Sequence, residues 1–235
     1  MRKMLLFSIM ILLCASIADV CIAQEYPVEP EFAINPQFDH ALSFNESLAV
    51  IENSDKYGFI DKTGKIVIKP QFDFAGYFRE DLAAVKIGDK WGFIDKTGKI
   101  VIKPQFDFAG YFREDLSSVK IDDKWGFIDK TGKIVIKPQF DSAPYFSEDL
   151  SLVKIGDKWG FIDKTGKIVI KPQFEVAYEF SEGLATVKIG GKWGYIDKTG
   201  KIVINPQFNE TQSFSEGLAR VKIGGKSGYI RNPLK

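Results

Sequence analysis

The residues that could do chemistry are few. His40 is the single histidine, and both cysteines, Cys14 and Cys21, fall within the first 23 residues. A Ser-His or Cys-His nucleophile pair in the rest of the chain would therefore have to use His40, and a solvated loop histidine is the simpler reading of it. Acids recur more often. Glu148-Asp149 and Asp163 are the residue types that make glycosidase carboxylate pairs or calcium ligands. However, Asp163-Lys164-Thr165-Gly166 lacks the alternating acids of a calcium loop, and a turn already accounts for its Asp and Gly. Lys158, Lys164, Lys167 and Lys171 stand close by to pair with these acids across the surface. No catalytic, cofactor or metal residue is assigned, and the chain is read as a non-enzyme.

Aromatic residues are the other candidates. Trp159 and its copies are most economically core, although recurrent Trp or Tyr also builds sugar-binding platforms. Tyr77, Tyr111, Tyr145 and Tyr178 lie in a stretch whose sequence drifts, and they are the expected surface contacts.

What must position these side chains is a repeat. Tyr57-Gly58, Trp91-Gly92, Trp125-Gly126, Trp159-Gly160, Trp193-Gly194 and Ser227-Gly228 follow one another at a strict 34-residue period. Pro36, Pro70, Pro104, Pro138, Pro172 and Pro206 keep the same period, as do Phe38, Phe72, Phe106, Phe140, Phe174 and Phe208. Within one unit, Leu150 to Ile155 alternates like a strand. Gly156-Asp157 then supplies a two-residue hairpin loop, and Trp159 to Ile162 returns as a second strand. Asp163 to Gly166 closes the next hairpin through a type I turn with a bulge. Ile168-Val169-Ile170, apolar at consecutive positions, reads as a third strand covered on both faces and ended by Pro172. Gln173 to Glu182 is either a folded-over connection or an irregular fourth strand. Three glycines and a proline in each unit leave no window for a helix.

The first 23 residues differ. Arg2 and Lys3, an apolar run from Met4 to Ala15 and the small-residue end at Cys21-Ile22-Ala23 have the build of a secretory signal cleaved after Ala23. A retained anchor is the competitor. Leu13 before Cys14 and Val20 before Cys21 disfavour lipidation. Residues 24–31 then form a linker and 32–235 a single β domain. Arg2, Lys3 and Asp19 are the charged residues of the first segment, so the remainder is formally neutral where the whole chain carries +1. That balance, with no basic cluster, argues against nucleic acid and anionic membrane. Without cysteine, the remainder rests on packing alone.

Lys-Trp-Gly-[Phe/Tyr]-Ile-Asp-Lys-Thr-Gly-Lys, repeated four times, resembles the WG-repeat family, also met as KWG repeats, and the resemblance covers essentially residues 32 to 231. It implies a bacterial β-repeat module, often exported, with no established activity and no catalytic residues to carry over. Tyr57 and Ser227, in place of Trp, depart from the pattern at the two ends.

The expected fold is all-β, with six 34-residue antiparallel meander repeats. Ile34-Asn35-Pro36 matches Ile204-Asn205-Pro206, while the last unit stops after Tyr229-Ile230. The N-terminal strand is therefore expected to complete the last unit and close a propeller-like ring; the alternative is an open solenoid array. The function expected is a secreted or periplasmic, non-catalytic scaffold that presents near-identical units to a protein partner. The alternative is a cell-wall or polysaccharide binder that uses the exposed aromatics.

Overall fold

The computed structural model describes residues 31–235; the expected signal, 1–23, and the expected linker as far as residue 30 lie outside the described residues. In the first unit a short strand β1 (His40–Ala41) pairs with β2 (Leu48–Asn53), β2 with β3 (Lys56–Asp61) and β3 with β4 (Ile66–Phe72), all antiparallel. The next four units repeat this four-stranded order, and the sixth has three strands: Glu210–Thr211, Leu218–Ile223 and Lys226–Arg231. Among the described residues there is no helix, and so none long and apolar enough to cross a membrane.

The turns follow from their residues. At Asp163 to Gly166 the Gly166 amide donates to the Asp163 carbonyl at 2.9 Å, with Gly166 at φ 86°. The Asp163 carboxylate accepts from the Thr165 amide, the Thr165 hydroxyl and the Lys167 amide at 2.9, 2.6 and 3.1 Å. The two-residue hairpins need positive φ, which Gly156 adopts readily; Ser54-Asp55 and Asp122-Asp123 take it without glycine.

The core lies between units. Val50, Phe59 and Ile68 of the first unit cluster with Ala75, Phe78 and Val85 of the second, and each later junction repeats the arrangement. A strand such as Leu150 to Val153 is therefore buried at consecutive positions, one face for each neighbour.

Two expectations are corrected. The third strand is not covered on both faces, because Ile168 and Val169 remain about 40% exposed while Ile170 is buried. Nor does Pro172 end it, since the strand runs from Ile168 to Phe174. Its pairing skips from Phe161↔Ile170 to Trp159↔Phe174, so Lys171, Pro172 and Gln173 face Gly160 alone. A bulge on an edge strand is where a residue without an N–H is tolerated. The stretch Gln173 to Glu182 resolves into an irregular fourth strand, Val176–Ala177, paired with the next hairpin.

The sheets do not close into a ring through the N-terminus. Ile34 sits instead under its own first unit, 3.0 Å from where a Cβ on Gly64 would stand, and Phe38 packs with it near Ala49, Ile51 and Ile60. The last sheet lacks the strand that Ile168–Phe174 and Ile202–Phe208 form in the units before it.

A Cβ on Gly160 would lie 2.5 Å from the Ile170 carbonyl oxygen and 2.6 Å from the Pro172 nitrogen. Gly160→Ala is therefore expected to destabilise the protein by about 2–3 kcal/mol, read as a lower urea midpoint. An unchanged midpoint would contradict the bulge packing.

Candidate binding cleft

Of the acids that invited a catalytic or metal reading, Asp163 ties its own turn, and Glu148-Asp149 joins two units. Glu148 and Asp149 stand at φ 54° and 69° in a tight turn. Their amides donate to the two carboxylate oxygens of Glu114, one unit earlier, at 2.7 and 3.0 Å. Lys164 closes the clamp, 3.2 Å from Glu114 and 2.9 Å from Asp149. Glu46 and Glu80 make the same clamp on the units that follow them. Among the described residues no three His, Cys, Asp or Glu side chains converge as metal ligands would.

Aromatic side chains converge elsewhere. Tyr57, Phe74, Trp91, Phe108 and Trp125 form a continuous ladder with ring centroids 5.0, 5.5, 5.2 and 5.5 Å apart. The tryptophans are half-buried, backed by core and open on one side. Phe74 and Phe108, both exposed, bridge them from one unit to the next. Opposite stand three of the four expected contacts: Tyr77, Tyr111 and Tyr145, with Tyr111 and Tyr145 5.6 Å apart. Arg79 lies over Tyr111 and Arg113 over Tyr145, at 5.7 and 4.7 Å. Phe74, Trp91, Phe108 and Trp125 of the ladder, the three tyrosines and Arg79 line a cleft of about 650 Å³ across units two to four. Burial pushes the Tyr145 hydroxyl above its ordinary range.

The cleft exists because certain columns of the repeat drift. The column of Phe74 and Phe108 reads His40, Phe74, Phe108, Ser142, Val176, Glu210 along the chain. Gly76 and Gly110 stand where the first unit has Leu42 and the fifth has Tyr178. Ala84 and Ser118 are small where the first and fourth units have Val50 and Leu152. Small residues thus open the cleft and large aromatics pave it, in the middle units only. Phe74 and Phe108 were not among the expected contacts, although the drift of their column was visible.

Tyr178 is apart from the other three tyrosines. It occupies the Gly76 column and stacks on Trp193 at 5.4 Å and 13°. It borders a second cleft of about 640 Å³ with Glu210, Thr211, Gln212, Ser213 and Arg220. Beside this cleft the buried Tyr195 hydroxyl donates to the Gln212 carbonyl at 2.8 Å and pairs with the Thr211 hydroxyl. His40 lines a smaller recess with Glu52, its cross-strand neighbour, and with Tyr57 and Phe74.

The sequence model of the WG containing repeat matches residues 29–57, 57–91, 91–125, 125–159, 159–193 and 193–226. The chain belongs to this family. No curated protein sequence matches it. Among solved structures this WG-repeat chain is similar to Hsv2 of Kluyveromyces lactis, at 10% identity and a TM-score of 0.50 over 75% of this chain and 68% of that one. It is also similar to a eukaryotic initiation factor, at 13% identity and a TM-score of 0.53 over 80% and 60%. It thus spans about two thirds or less of these relatives. Both likenesses are of fold, and they set the WG-repeat units beside propeller-like sheets.

The hairpin aspartates give this structure an acid sensitivity. Hydrogen bonding from Thr63, Thr97, Thr131, Thr165 and Thr199 lowers the pKa of Asp61, Asp95, Asp129, Asp163 and Asp197. A carboxyl depressed in the folded state adds stability that is whole above its unfolded value, about 4, and is lost as pH falls below it. The melting temperature is expected to drop on acidification from pH 5 to pH 3. In Thr165→Ala the drop should be smaller, because one depressed carboxyl loses its donor; an equal drop would remove the assignment.

Proposed function

We propose that the protein is an exported, non-catalytic binding module whose partner is another protein, held by an apolar, aromatic-bearing segment in the cleft of units two to four. The observation that carries this reading is the aromatic ladder facing Tyr77, Tyr111 and Tyr145. An apolar cleft with a few placed polar groups is the usual form of a recognition site, and Tyr, Trp and Arg are the residues that dominate protein interfaces. Since the cleft belongs to the middle units alone, the reading is of one principal site on a repeated frame, rather than the same surface offered six times. Export rests on the build of residues 1–23, and the non-catalytic reading on the clamp and turn roles that the repeated acids fill.

The test uses a substitution that the repeat itself supplies. Ser142 occupies the Phe108 column in the fourth unit, so Phe108→Ser is expected to fold. Peptides selected from a displayed library against the wild type should bind the Phe108→Ser variant at least about tenfold more weakly. If the selected peptides bind both forms equally, this cleft is not their site.

A second reading is favoured by the second cleft, where the Tyr178–Trp193 stack meets carboxylate, hydroxyl, amide and guanidinium groups. An aromatic face beside such donors and acceptors suits a cell-envelope glycan. Soluble peptidoglycan fragments should then quench tryptophan fluorescence in the wild type and fail to do so in Trp193→Phe/Tyr178→Ala. Fluorescence that no fragment alters would remove the glycan reading and leave the protein reading intact.

A further inference from the structure

The two ends of the repeat are unmatched halves of the same junction. In the first five units, a Cβ on the strand glycine (Gly58, Gly92, Gly126, Gly160 or Gly194) would meet a carbonyl oxygen and a proline nitrogen of the following strand at 2.5 to 2.7 Å. At Gly228, in the last unit, nothing lies within 4 Å. The side chains around Gly228 are bare in consequence. Tyr229 is 72% exposed, whereas its counterpart Tyr195 is 0% exposed, paired with Ile204 along the backbone and covered by Phe214 and Ala219 of the unit that follows it; Tyr229 has neither the strand nor a following unit. Residues 232–235 do not supply that strand. Asn232 bonds the Gly217 and Glu182 carbonyls and Lys235 reaches Glu182 at 2.9 Å, which turns the chain away from the open edge.

The missing strand is present at the other end. Ile34-Asn35-Pro36-Gln37-Phe38 is identical to Ile204-Asn205-Pro206-Gln207-Phe208. It also sits where a preceding unit's strand would sit, because Ile34 meets Gly64 as Ile68 meets Gly98 and Ile102 meets Gly132. Among the described residues this segment makes no backbone hydrogen bonds, so its pairing edge is open.

A charged set is split in the same way. At the first three junctions one unit's Glu accepts from two turn amides of the next unit and pairs with a Lys of that unit, as Glu46 does with Glu80, Asp81 and Lys96; Glu148 and Glu182 each hold one turn amide, that of Gly183 or Gly217. Among the described residues Glu216 has no hydrogen bond or ion pair, the amides of Glu46 and Ser47 meet no carboxylate, and Lys62 has no ion pair. Glu46 and Ser47 hold positive φ as the clamped turns do. The unused carboxylate is at one end, and the unused amides and ammonium are at the other.

We propose that a second copy of this chain completes the last unit: its Ile34–Phe38 segment adds as the fourth strand beside Lys226–Arg231, and Glu216 clamps onto its Glu46–Ser47 turn and Lys62. The contact is strand addition at a sheet edge, with side-chain pairing that repeats the inner junctions. It is heterologous, head to tail, so one junction leaves a further open edge at each end of the assembly. It is independent of the cleft proposed above, which lies on units two to four.

The experiment is sedimentation velocity on the chain as recovered from the cell, over a concentration series. Wild type should show mass increasing with concentration. Gly228→Ala should remain a monomer with an unchanged melting temperature, since the added methyl has open space in the free chain and a backbone in its way in the assembly. Glu216→Lys should also stay monomeric, and Glu216→Gln, which keeps an acceptor oxygen for the two turn amides, should associate more than Glu216→Lys, which keeps the test sound if Gly228→Ala folds poorly. Wild type that stays monomeric at every concentration overturns the proposal. So does association that neither Gly228→Ala nor Glu216→Lys weakens.

Discussion

Ile68 lies 3.2 Å from where a Cβ on Gly98 would stand, and that contact recurs from Ile102 to Gly132 and from Ile136 to Gly166. Everything else about the molecule depends on this seat of one unit beneath the turn of the next. A lone four-stranded meander of this length buries too little apolar surface to stand alone. Here each sheet lends one face to the neighbour before it and the other to the neighbour after it, so every core is shared by two units. The strict 34-residue spacing is the sequence counterpart of that requirement. A residue gained or lost would move the isoleucine off its glycine and the glutamate off its pair of amides at once.

Which parts of this were legible depended on whether a residue's role was local. Asp163, Thr165 and Gly166 make a turn whose bonds lie within four residues, and their types alone announce it. Gly156-Asp157 is similar. Pro172 misleads because its tolerance comes from Gly160 across the sheet, and no local rule shows that the glycine faces three residues instead of one. Ile168 and Val169 mislead because an edge strand and a buried central strand share the same composition. Trp159 stands between the two readings weighed for it, backed by core yet open on one side.

The candidate site was legible in part. Tyr77, Tyr111 and Tyr145 were visible because they break the uniformity of the connection, and the fold brings them to one wall. Tyr178 has the same residue type one column earlier, and it faces a different cleft. Phe74 and Phe108 carry no such signal, because phenylalanine is so common in the repeat that two more read as core. The informative signal was variation down a column rather than identity across columns. Positions that run His, Phe, Phe, Ser, Val, Glu cannot all serve one shared packing role.

The uniform clamps have a consequence for how such a chain can change in length. Glu46, Glu80 and Glu114 meet the same partners in successive units, so a duplication or excision of one whole unit in the middle would leave new neighbours with the old fit. Size can change in steps of one unit with these clamps kept in register. Any other step breaks a junction, so the length of the array is quantised by its own interfaces.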